Sequence, residues 1–183
     1  MRRLLAGLLI LCVCRVSAPP EPSAKVFYAK EEALRVAFPQ AESIDKQLYF
    51  LTDDQIRRVE QLARVRLESK LVTIYAGKRG RNLLGYAIIE VHTVRTLPEA
   101  IMIVLSPEGQ VTSTLVLAFY EPLEYLPPDR WLKQFDRRRL TPDLRIGGAI
   151  DGITGATLTA RGVTEAVRKA LALYRVLIAK GGQ

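Results

Sequence analysis

KLVTIYAG (Lys70–Gly77), LLGYAIIEVHTV (Leu83–Val94), EAIMIVLS (Glu99–Ser106) and QVTSTLVLAFYE (Gln110–Glu121) are four apolar runs rich in Val, Ile, Thr and Tyr. Side chains of these types fit the pleated, half-buried surface of a sheet. Short connections carrying glycine or proline separate the runs, and Ser106-Pro-Glu-Gly109 is a compact hairpin turn. The reading that follows is an antiparallel sheet over the middle of the chain.

Outward from the sheet the period changes. On its N-terminal side KQLYFLT (Lys46–Thr52) is a further strand candidate, and Asp53–Ser69 places Ile56, Val59, Ala63 and Leu67 on one helical face, with Thr52 or Asp53 as its cap. Before these, Tyr28–Glu42 carries Ala33, Leu34 and Ala37 at helical spacing and stops at Pro39. On the C-terminal side a short helix is expected around Trp131, Leu132 and Phe135. A long one follows, with Val163, Val167, Ala170, Leu171, Tyr174 and Ile178 in one stripe. Helices at both ends of a run of strands predict an α+β fold: one domain with a central antiparallel sheet flanked by helices.

The first residues do not belong to that pattern. MRRLLAGLLILCVCRVSA (1–18) sets Arg2 and Arg3 before an apolar run and ends in Val-Ser-Ala, as a secretory leader does. Its apolar run of about ten residues is half of the roughly 20 that cross a bilayer. A cleaved signal peptide is the first expectation. An uncleaved N-terminal anchor is the alternative, because Arg15 and Pro19 suit the peptidase poorly. Lipoprotein processing at Cys12 or Cys14 is disfavoured by the large Leu11 and Val13 before them. Each reading places the protein outside the cytoplasm, in the periplasm or on the outer face of the membrane. A Pro-rich spacer, 19–25, then leads into a domain over 26–183.

Composition narrows the chemistry. With 49% hydrophobic and 25% charged residues the chain is an ordinary globular one. Both of its cysteines lie in the leader, so the domain offers none for disulfides, haem attachment or cysteine-ligated metal. The single histidine, His92, reads as a satisfied strand residue, and no metal site is expected. The net charge of +8 includes the three leader arginines Arg2, Arg3 and Arg15, which leaves +5 after Ala18, and the basic residues there are scattered through QIRRVEQLARVR, GKRGR and FDRRRL without interleaved aromatics. That pattern argues against nucleic acid. It leaves solvated faces, an anionic membrane surface or an acidic redox partner.

One loop remains, AIDGITGATLTARGVTEAV (Ala149–Val167), which delivers the chain into the last helix. Asp151-Gly makes a turn, Gly155 permits a bend, and Thr157 or Thr159 is placed to cap the helix. The same residues admit a second reading. Gly155 and Ala156 allow close approach to the backbone, and free N–H groups at a helix start favour a phosphate. A nucleoside triphosphate loop is not in play, since the Lys-Ser/Thr pair is missing.

Asp151-Gly-Ile-Thr-Gly-Ala-Thr157 resembles the flavinylation motif Asp-x-x-Ser/Thr-Gly-Ala-Thr/Ser of the FMN-binding domain family, found in the C subunit of the sodium-translocating NADH:quinone reductase and the G subunit of the Rnf complex. All defining positions match. The preceding strands, Gly85-Tyr86 and the helix after the motif are also similar, so the resemblance is strongest over 70–179. YEPLEYLPPDRW departs from the family's Glu and Gly-rich segment, with Glu121 in the family position.

The resemblance implies that FMN is attached through a phosphoester to Thr157, donated from FAD by a separate flavin transferase. It further implies recognition or modification roles for Asp151 and Thr154, with Asp151 suited to position the transferase's Mg²⁺. Gly155 and Ala156 then shape the backbone turn, Leu158 touches the apolar edge of the flavin, and Thr159 caps the helix or bonds the phosphate. Tyr120, Glu121 and Trp131 read as packing residues with a flavin-ring contact as the minor alternative.

The implied function is an extracytoplasmic electron-transfer flavoprotein, passing electrons between a membrane redox donor and a partner protein, with no catalytic residue of its own. The alternatives are a flavin-free, membrane-tethered interaction or sensory module, and a small flavin-dependent reductase.

Overall fold

The computed structural model describes residues 25–179. The leader expected over 1–18, and the spacer over 19–25 apart from Lys25, lie outside them. Six strands form one antiparallel sheet: β1 (Lys25–Val26), β2 (Ser43–Phe50), β3 (Leu71–Arg79), β4 (Asn82–Thr93), β5 (Pro98–Leu105) and β6 (Val111–Phe119), in the order β1-β6-β5-β4-β3-β2. The four apolar runs are thus β3 to β6, and Lys46–Phe50 completes the far edge. Lys25, assigned to the spacer from sequence, instead starts the two-residue edge strand and pairs with Phe119.

Both faces of the sheet are covered, which explains why β5 is apolar almost without interruption. Ile101, Ile103 and Leu105 point to one face, while Met102 and Val104 point to the other. The second face is closed by α1 (Lys30–Ala37), whose Ala33 and Leu34, followed by Phe38, pack on Tyr75, Ala87 and Leu117. Phe38 lies so close to the sheet that a Cβ on Gly77 would meet its ring at 2.5 Å. Gly77 faces Gly85 across the β3–β4 pair, which keeps space there for the ring.

The first face carries α2 (Asp53–Ala63), α3 (Asp129–Leu132) and α4 (Thr157–Leu173). Thr52 caps α2 in a reciprocal capping box with Gln55. The helix expected to reach Ser69 ends earlier, because Arg64 adopts a left-handed conformation at φ 58° and donates its N–H to Glu60. Leu67 still packs on the core, but from a loop. In α4 the predicted stripe is the buried one: Val163, Val167, Ala170 and Leu171 are at most 2% exposed. Each large aliphatic side chain there contributes about 1.5–3 kcal/mol by burial. The helix continues into a π-turn, Tyr174–Ile178, and the Tyr174 hydroxyl donates to the Pro107 carbonyl at 2.7 Å. The last helix is thereby fastened to the β5–β6 hairpin.

Candidate functional site

The segment from Asp151 to Thr157 hangs between two supports. Upstream, both backbone polar groups of Asp151 are clamped. Its N–H donates to Gln134 Oε1 at 2.9 Å, and its carbonyl accepts from Trp131 Nε1 at 2.8 Å. Trp131 is 6% exposed and stacks edge-on against Phe135 at 5.3 Å, so it makes a rigid post. Downstream, Ala156 N–H donates to Ile153, and the helical ladder opens with Ala160 donating to Ala156. Gly155 sits at φ 82° with open space around its missing Cβ. The backbone angle therefore requires glycine there, rather than any close neighbour.

The cap of α4 is Ala156, and no side chain caps the helix. The expectation that Thr157 or Thr159 caps it is corrected, since both lie within the first turn. The N–H groups of Thr157, Leu158 and Thr159 precede the ladder, and the first turn contains no acid. The positive end of the helix dipole is thus left without a carboxylate from its own turn. The Thr157 side chain is exposed there, beside an exposed Leu158. Thr159 is the opposite case: it is 1% exposed, and its hydroxyl has no hydrogen-bond partner.

Thr157, Leu158 and Thr159 form one wall of a cavity of about 200 Å³, whose other wall includes Val94, Arg95 and Tyr125. Glu121 builds that other wall. One carboxylate oxygen, Oε1, accepts the N–H groups of Arg95, Thr96 and Leu97 at 3.1, 2.7 and 2.9 Å, holding the β4–β5 hairpin tip. Burial pushes the Glu121 carboxyl up, but the three N–H donors outweigh it and the net displacement is downward. Arg95 lies over the Tyr125 ring at 5.4 Å. Tyr120 is only half-buried and donates its N–H to Pro98.

Of the residues singled out from sequence, the structure brings Gly155, Ala156, Thr157, Leu158, Thr159 and Glu121 to one cavity. The Asp151 and Thr154 side chains are exposed outside its lining. Sequence reading missed Arg95, Tyr125 and Gln134. Trp131 and Gln134 stand three apart on one helical turn, a spacing that presents both to the same neighbour. A larger cavity, about 560 Å³, runs along β6 beside Tyr28 and Leu132, but no motif residue lines it. Size does not select the site.

His92 is not the satisfied strand residue expected. It stands opposite Glu99 in the β4–β5 pair with Nε2 and Oε2 3.1 Å apart, yet neither side chain makes a well-directed hydrogen bond. Among the described residues no group of His, Cys, Asp and Glu is arranged to hold a metal ion, and no helix is long and apolar enough to cross a membrane.

Residues 98–172 match the FMN-binding domain family, so the resemblance drawn from the seven-residue motif extends from β5 through most of α4. The fold is similar to the crystal structure of NqrC from Shewanella oneidensis, with a TM-score of 0.52 at 12% identity over 76% of this chain and 84% of that one. No curated protein matches the chain in sequence.

Proposed function

We propose that the protein is an extracytoplasmic electron carrier whose FMN is bound covalently through a phosphoester to Thr157. The observation that carries this reading is the position of Thr157: an exposed hydroxyl on the first residue of α4, in a matching motif, on the wall of a cavity. The surrounding residues fit a phosphorylated, partly aromatic group. The helix start and Arg95 favour its charge, Leu158, Val94 and Tyr125 offer apolar surface, and the buried Thr159 hydroxyl lacks a partner. At about 200 Å³ the cavity is below the usual range for holding a whole ligand, roughly 300–1,000 Å³. Such a site would hold part of the cofactor and leave the rest open to a redox partner.

FMN supplies one- and two-electron redox chemistry once attached. The chain's own contribution is to present and orient. Trp131 and Gln134 fix Asp151, Gly155 turns the backbone, and Glu121 holds the opposite hairpin tip. No His or Lys lines the cavity with Thr157, and an unassisted threonine hydroxyl is a weak nucleophile. Attachment accordingly needs a separate flavin transferase with FAD as donor. Thr157 Oγ forms the new O–P bond as the donor's pyrophosphate bond breaks, AMP departs and the hydroxyl proton passes to the transferase. A membrane redox protein as electron donor and a partner as acceptor complete the reading, with the membrane surface as a second contact.

The test is co-expression with a flavin transferase, followed by intact mass and in-gel flavin fluorescence. Wild type and Thr159→Ala are expected to gain one FMN, and Thr157→Ala none. Unchanged labelling of Thr157→Ala, or loss confined to Thr159→Ala, overturns the assignment.

A further inference from the structure

Thr157 also belongs to a second cavity, on the other side of the start of α4. This one has a volume of about 350 Å³ and lies between the end of α2, the loop around Pro142–Ile146 and the first turns of α4. Four arginines line it, Arg64, Arg145, Arg161 and Arg168, against a single carboxylate, Glu165. Arg168 is already committed. Its guanidinium donates to the carbonyls of Ala63, Leu62, Thr141 and Leu144 at 2.7–3.1 Å. The other three are exposed, and among the described residues none of them is in an ion pair.

Their convergence is a product of the fold. Thr157, Arg161, Thr164 and Arg168 recur at helical spacing and so share one face of α4. Side chains on a helix lean toward its N-terminus, so Arg161 leans from one turn below toward Thr157. Arg64 comes from the left-handed cap of α2, and Arg145 from a loop whose own N–H donates to Asp143. Burial chiefly, and then the nearby Arg64, lower the affinity of Arg168 for its proton. Guanidinium groups pair with phosphate oxygens in two-point geometry, and a concave site with several of them suits a multiply charged phosphate better than a single carboxylate.

We propose that this cavity is a phosphate-binding site for a nucleotide, with Arg161 and Arg145 as its main ligands. It rests on the proposed function for one of two possible sources of that phosphate. Either the ester phosphate on Thr157 turns into this cavity, or a free nucleotide phosphate, such as that of the departing AMP, occupies it.

Two measurements on the full chain separate the sources. In the first, protein made without a flavin transferase is titrated with inorganic pyrophosphate and with AMP in a calorimeter. In the second, loaded protein is examined by ³¹P NMR. Arg161→Gln and Arg145→Gln are compared with Arg81→Gln, an equal loss of charge at the β3–β4 turn, and all three change exposed side chains. Free-anion binding that weakens about tenfold in the first two variants but not in Arg81→Gln identifies a site for the free nucleotide. A ³¹P resonance that moves in the first two variants only identifies the ester. If neither measurement separates them from Arg81→Gln, the proposal is overturned. Loading that is absent from Thr157 removes the earlier assignment instead, and the titration alone then decides.

Discussion

At the scale of single residues, the candidate site depends on groups that act through the backbone. Glu121 holds three consecutive N–H groups with one oxygen, which only an ionised or strongly accepting carboxyl does well. Its proton affinity is lowered in the folded protein, while in the unfolded chain it titrates near pH 4.3. The folded state therefore binds fewer protons in acid. The stability from Glu121 is complete above about pH 4.3 and disappears as pH falls through the lower folded value. Thermal melts of wild type and Glu121→Gln from about pH 6 to pH 3 are expected to converge in acid. Curves that stay parallel would show that the carboxylate charge does not hold the hairpin tip. Sequence placed Glu121 and Trp131 as packing residues with a flavin contact as the alternative. The three donors to Glu121 lie 24 to 26 residues away, and Trp131 grips a carbonyl 20 residues away. Such contacts leave no local pattern.

Elements were more legible, because hydrophobic period is a local property and the sheet runs in chain order. The four central strands, the α1 stop before Pro39, the Thr52 cap and the buried stripe of α4 follow from spacing. What spacing did not show is the end of α2. Residues 64–67 continue the apolar repeat, but the helix stops because Arg64 turns left-handed and Arg168 takes the carbonyls of Leu62 and Ala63. In sequence Arg168 is one more basic residue in a helix, whereas in the fold it ties α4 to α2 and to the loop before the motif. Arg168→Met keeps the length of the side chain and leaves four carbonyls without these donors. The expected cost is about 3 kcal/mol, a fall in Tm of about 6–12 °C for a chain of this size. A fall under about 2 °C would mean that water replaces the guanidinium freely.

For the whole molecule, charge and topology matter more than any one contact. The basic residues include the arginines beside Thr157, so a partner docking near that residue meets a positive surface. Electron transfer between loaded protein and an acidic protein acceptor, followed by flavin absorbance in a stopped-flow instrument, is expected to slow as salt rises from about 0.01 to about 1 M. Over that range the Debye length shrinks from about 30 to about 3 Å. A flat profile would assign docking to apolar contacts such as Leu158. From β3 to β6 each strand is joined to the next by a short turn, and β2 joins β3 through α2, so the pairings of the sheet are mostly close in sequence. The helix that begins at Thr157 is the last large piece to be made, and its buried stripe needs the finished first face of the sheet to rest on. Thr157, the proposed acceptor, is thus held in place only when that helix has docked on the sheet. A modifying enzyme that recognises the clamped turn rather than the bare peptide would leave unfinished chains unlabelled, making the attached chromophore a record of successful folding.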